Sequence, residues 1–171
     1  MIWTIGHSTR SADVLLILLR TNNIRQVADV RTAPYSRRHP QFNSDALDEF
    51  LNLHGIAYRH FAALGGLRKP RPDSTNTAWR ESGFRGYADY METPAFRRGL
   101  EDLLRFAESG PTTVMCAEAV WWRCHRRLLA DALVARGIPV AHILSGATPN
   151  PHELSEFARV DGGLVTYPGL L

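Results

Sequence analysis

Lysine is almost missing from this chain: Lys69 is the only one among 20 basic residues. Cysteine is nearly as scarce, with Cys116 and Cys124 alone, and no apolar run approaches the roughly 18–20 residues that a membrane helix needs. Each scarcity excludes a class. Two thiols cannot build the disulfide framework of a small secreted scaffold, so metal binding, catalysis or redox work is the better expectation for them. The lack of an apolar leader, with Met1 running straight into a strand-like segment, predicts a cytoplasmic protein without a membrane partner. A net charge of only +3 does not by itself imply nucleic-acid binding. The arginine bias favours planar, bidentate recognition of phosphate or carboxylate, although GC-rich codon usage explains the overall composition equally well. Only the placement of individual arginines therefore carries weight.

What is present is ordinary globular material. Hydrophobic residues make up 44% and charged residues 22% of 171, enough to enclose a core and too apolar for disorder. Ile2 to Ile5 reads as a strand ending at Gly6-His7-Ser8, and Ser11 caps an apolar helix from about Ala12 to Arg20. Gln26 to Arg31 is a second strand. Leu47, Phe50, Leu51 and His54 fall at helical spacing in a helix started by Asn43 or Ser44 and ended by Gly55. Ala57 to Phe61 is a third strand. An irregular stretch from Leu64 to about Arg85 follows, long enough to be functional or mobile. Helical signals return at Tyr87–Met91 and after Pro94, then strand Thr112–Cys116, a helix from about Cys124 to Arg136, and strand Val140–Leu144. The tail predicts a short polar helix near His152–Phe157 and a last strand at Leu164–Thr166. Strands alternating with helices imply a single α/β domain over residues 1–171: one layered unit, with a mostly parallel sheet flanked by helices on both faces.

In such sheets ligands sit beyond the carboxyl ends of the strands. His7, Ser8 and Arg10 follow the first strand; Arg31, Ser36, Arg37 and Arg38 follow the second; Gly65, Gly66 and Arg68 follow the third. The fourth ends in Cys116-Ala117-Glu118 and leads to Cys124-His125-Arg126. A thiol at a strand end, facing a helix N-terminus and arginines, should be acidified, so Cys116 is the expected nucleophile. Cysteine phosphatases and sulfurtransferases place an arginine six residues after such a thiol; here position 122 is Trp, and Arg123 comes one residue later. Glu118, His7 and His125 are the candidate acids, bases or proton shuttles. Ser8, Arg10, Arg31, Ser36, Arg37, Gly65, Gly66, Arg68, Tyr87, Cys124 and Arg126 are the candidate ligand-binding residues, for a phosphate-bearing small molecule or a nucleic acid. Trp79, Phe84, Tyr87 and Tyr90 are candidates to stack on a base, or to anchor the long loop. The alternatives are a binding module without turnover, a thiol redox protein, and a metal-dependent hydrolase using Cys116, Glu118, Cys124 and His125. The sequence names no cofactor.

Thr4-Ile5-Gly6-His7-Ser8-Thr9, Asp29-Val30-Arg31 with Pro34 and Ser36, Leu64-Gly65-Gly66, Phe84-Arg85-Gly86-Tyr87-Ala88-Asp89-Tyr90-Met91, and Cys116-Ala117-Glu118 with Cys124-His125-Arg126 occur in this order. In these motifs the chain resembles the bacterial domain of unknown function 488 family. The segment Val120-Trp121-Trp122 departs from the acidic-Pro form associated with many members. The resemblance implies an α/β fold and a pocket built from these motifs, and it brings no established activity. An association of some members with DNA repair points toward nucleotides or nucleic acid.

Overall fold

The computed structural model describes residues 1–146 and 148–170. Its framework is a six-stranded sheet in the order β3-β2-β4-β1-β5-β6. The strands are β1 (Ile2–Gly6), β2 (Gln26–Asp29), β3 (Ala57–His60), β4 (Thr112–Cys116), β5 (Val140–Ile143) and β6 (Asn150–Pro151). The first five are parallel and only the edge strand β6 runs against its neighbour. β2, β4 and β5 are buried at every position, as expected of strands covered on both faces.

The helices divide between the two faces. Helices α1 (Ala12–Thr21) and α2 (Ser44–Leu53) lay Leu15, Leu16, Leu19, Leu47 and Leu51 against Ile5, Val27, Met115 and Ile143. Helices α3 (Ser82–Met91), α4 (Pro94–Ala107) and α5 (Arg126–Val134) cover the other face, around Ala28, Val114, Leu128 and Leu133. The caps match the sequence: the Ser11 hydroxyl accepts from Val14 N at 3.2 Å, and that of Thr93 accepts from Phe96 N at 3.3 Å with Pro94 in the first turn.

β1 connects across β4 to β2 through α1, whereas β4 connects across β1 to β5 through α5. The two neighbours β1 and β4 thus send the chain in opposite directions, and a crevice opens beyond their carboxyl ends. Gly6 and Cys116 are register partners at this point. The turn after β4 crosses so close over Gly6 that an added Cβ would overlap the Glu118 carbonyl and lie 3.0 Å from Ala119 Cα. Only glycine fits there.

Two expectations change. Residues 152–157 form no helix: His152 N bonds to Val140 O at 2.8 Å, and the polar residues that suggested a solvated helix, His152 and Ser155, are buried against Asp131. The last strand, β8 (Leu164–Thr166), exists, but it pairs antiparallel with β7 (Arg159–Asp161) in a separate two-stranded ribbon. The long irregular stretch is pinned down. Asp89 accepts from Arg71 N, Ser74 Oγ and Asn76 Nδ2 at 2.7–2.8 Å, and Asn76 Oδ1 accepts from Tyr167 N.

Candidate functional site

A pocket of about 430 Å³ lies at the predicted strand ends. Cys116, Glu118, Cys124 and His125 line it, together with Arg31, Gly66, Phe84 and Arg123.

The two thiols are its chemical centre. Cys116 ends β4 and Cys124 precedes α5, and their sulfurs lie 2.7 Å apart. The His125 ring is placed by its other nitrogen, since Nε2–H donates to Val30 O at 3.0 Å. That bond leaves Nδ1 facing Cys124 Sγ at 3.5 Å, free to take or hold the thiol proton. Gly66 makes room for the ring: a Cβ there would sit 2.7 Å from His125 Cγ. Tyr87, fully buried and donating to Leu64 O at 3.0 Å, supports the ring from a centroid distance of 5.1 Å.

The two thiols are perturbed in opposite directions. Contact with the Cys116 sulfur outweighs burial and, with His125 and the Arg126 charge, holds the Cys124 thiol well below its usual range. Burial and contact with the Cys124 sulfur push Cys116 well above its own. These directions favour the thiolate at Cys124, just before α5, over a thiolate at Cys116.

The arginines are mostly engaged by the protein itself. Arg31 forks onto Asp29 at 2.6–3.1 Å and donates to Phe42 O, while Tyr58 adds a 2.6 Å bond to the same carboxylate. Arg126 is fully buried; it donates to Thr4 Oγ1 at 3.2 Å and to Glu118 O at 2.5 Å, and so clips the turn after β4 in place. Its Nε has no partner among the described residues. Arg10 donates to the Gly6 and Leu144 carbonyls, and Arg68 lies over the Tyr90 ring at 3.6 Å while donating to Gly65 O. Arg37 is exposed and lies outside the pocket lining. Arg123, exposed at the rim, is the arginine best placed to meet a ligand.

Of the remaining candidates, Ser8 holds a left-handed backbone (φ 52°) with its N–H on Ala117 O, and Ser36 accepts from Arg38 N and His39 N in a turn. Gly65 packs on Thr32. His7 is a poor general base. Its Nδ1–H donates to Ser8 O at 2.8 Å, its Nε2 accepts from Arg31 at 3.3 Å, and burial above all lowers its pKa to about 4. Trp79 and Tyr87 belong to the core, and Tyr90 is tied to Ala63 O and Arg68, which leaves Phe84 as the stacking candidate in the pocket. Glu118 is exposed, with no bond to either sulfur from its carboxylate. Among the described residues no group of three His, Cys, Asp or Glu side chains is arranged to hold a metal ion.

Sequence reasoning missed one assembly behind the pocket. His142, whose pKa burial lowers to about 3, lies in a buried chain of polar groups. Arg126 donates to Thr4 Oγ1, Thr4 to His142 Nδ1 (2.7 Å), His142 Nε2 to His152 Nδ1 (2.9 Å), and His152 Nε2 to Asp131 (2.8 Å). Trp121 stacks flat on His142 at 4.2 Å and anchors the 3₁₀ turn that leads to Cys124. The isolated signal was the number of histidines near strand ends; nothing local linked them to Asp131.

Fold and site together define an α/β protein with a cysteine–histidine pocket at the switch point of a mainly parallel sheet. The chain belongs to the family described as Domain of unknown function DUF488, whose model matches residues 11–133 and thus includes both cysteine motifs. Neither the curated proteins nor the solved structures contain a match to this chain.

Proposed function

We propose that the protein is an enzyme that uses Cys124 as a nucleophile on a small anionic molecule, phosphate-bearing compounds being the first class to test. The observation that carries this reading is the alignment of Cys124 Sγ, His125 Nδ1 and the Val30 carbonyl behind His125 Nε2. A nucleophile, a base and a group that orients the base are the parts that covalent catalysis requires. A volume of about 430 Å³ suits a small molecule. The withdrawal of Trp79 and Tyr87 into the core favours such a ligand over a nucleic-acid strand, which needs aromatic platforms. Arg123 at the rim is the group proposed to draw in the negative charge.

The test is a pH profile of iodoacetamide labelling on native protein, with the modified residue mapped by mass spectrometry. Cys124 should react well below pH 8, the range where an ordinary thiol becomes reactive. Labelling that needs denaturant would end the proposal. A screen of phosphorylated metabolites against wild type and Cys124→Ser then seeks turnover that only wild type supports.

A further inference from the structure

We propose that Cys116 and Cys124 work as a dithiol that reduces small disulfides in the pocket, Cys124 attacking and Cys116 resolving. This rests on the assignment of Cys124 as the nucleophile and gives Cys116 a task that simple nucleophilic catalysis leaves undone. A buried thiol in contact with the nucleophile is placed to attack whatever is held on Cys124.

Three features make the pair a resolving pair. Both cysteines line the pocket, so a ligand bound to one sulfur is presented to the other. Both are held on fixed backbone. Cys116 O accepts from His7 N at 2.9 Å, Cys124 N donates to Trp121 O at 3.2 Å, and Cys124 O accepts from Arg127 N at 3.0 Å. Arg126 clips the intervening turn through Glu118 O, so the sulfurs stay adjacent without a conformational search. The pair is also unequal. His125 faces Cys124, which favours the thiolate there, whereas Cys116 sits deeper and stays protonated until its neighbour has reacted.

The chemistry balances with a low-molecular-weight disulfide, R–S–S–R, as the oxidant. The Cys124 thiolate attacks one sulfur, the R–S–S–R bond breaks, and RS⁻ leaves with Cys124–S–S–R formed. The Cys116 proton passes to the departing thiolate, and the Cys116 sulfur attacks that of Cys124. The bond from Cys124 to the R-bearing sulfur breaks, and a second RS⁻ departs and takes a proton. The dithiol has lost two electrons and two protons, and the disulfide has become two thiols.

The full-length reduced protein is incubated with hydroxyethyl disulfide and followed by intact mass and free-thiol count. Wild type should lose the mass of two hydrogen atoms and both thiols, with no lasting adduct. Cys116→Ser, and Cys116→Ala should the serine be poorly tolerated in this buried position, should stop at a stable adduct on Cys124 that dithiothreitol removes. Cys124→Ser should leave Cys116 unmodified. A wild-type protein that accumulates the mixed disulfide, or that ignores the probe while iodoacetamide still labels Cys124, overturns the dithiol and spares the nucleophile. If neither reagent reaches Cys124, both readings fall.

Discussion

Replacing Gly66 by alanine should separate the pocket chemistry from the rest of the fold. The added Cβ would overlap His125 Nδ1 and lie 2.7 Å from Cγ and 3.0 Å from Cε1. Gly66 does not use a left-handed backbone, so alanine brings no torsional strain, and its entropic effect on the unfolded chain alone would stabilise by about 0.4–1 kcal/mol. The steric effect runs the other way. Overpacking of this kind costs about 1–3 kcal/mol. Expulsion of the ring also loses the bond from His125 to Val30 O, worth about 0.5–1.5 kcal/mol net. The balance is a destabilisation of about 0.5–4 kcal/mol, and for a chain of this size each kcal/mol lowers Tm by about 2–4 °C. The larger effect is on reactivity. Loss of an interaction of about 1 kcal/mol with the thiolate corresponds to about a fivefold fall in the thiolate-to-thiol ratio, or about 0.7 pH unit in the labelling midpoint. Iodoacetamide labelling of Cys124 should slow accordingly, and its midpoint should move to higher pH. Scanning calorimetry and timed labelling read the two effects separately. A Gly66→Ala protein with unchanged Tm and unchanged labelling would refute the placement of His125 between Gly66 and the thiol.

Two further outcomes follow from the buried polar groups. Asp131 accepts from His152 Nε2, Ser155 N, Ser155 Oγ and Tyr167 OH at 2.8–3.1 Å, so Asp131→Asn should cost about 1.5–3 kcal/mol, the value of a hydrogen bond to a charged group, in urea unfolding. A variant as stable as wild type would mean that the buried chain behind Arg126 contributes nothing. For pH dependence, His7 titrates at 6.5 when unfolded and at about 4 when folded, so the unfolded state takes up the proton first. That contribution is fully present above pH 6.5 and is lost as pH falls toward 4. In His7→Gln the urea midpoint should therefore fall less steeply over this range, and an unchanged slope would contradict the burial of a neutral ring.

The sequence by itself determined the order of strands and helices, because the patterns that specify them are local. Ser11 before Leu15, Leu16 and Leu19, Thr93-Pro94 before α4, and the apolar run of Thr112–Cys116 each act within a few residues. It also indicated where polar groups converge, since a parallel sheet carries every loop after a strand to the same edge, and this brought Cys116, Cys124, His125, Arg31 and Gly66 to one pocket. Partner choice was not local. Arg126, Arg10 and Arg68 looked like anion ligands in the chain, yet each found carbonyl oxygens or an aromatic ring brought close by folding. His152 and Ser155 looked like a solvated helix until Asp131, 21 and 24 residues away, claimed them as donors. The opposite perturbation of the two thiols is likewise a tertiary effect. Only the fold brought the two sulfurs together and turned His125 toward Cys124 by tying its far nitrogen to Val30, 95 residues distant in sequence. A residue's type states what it can bond to, and packing alone states what it does bond to.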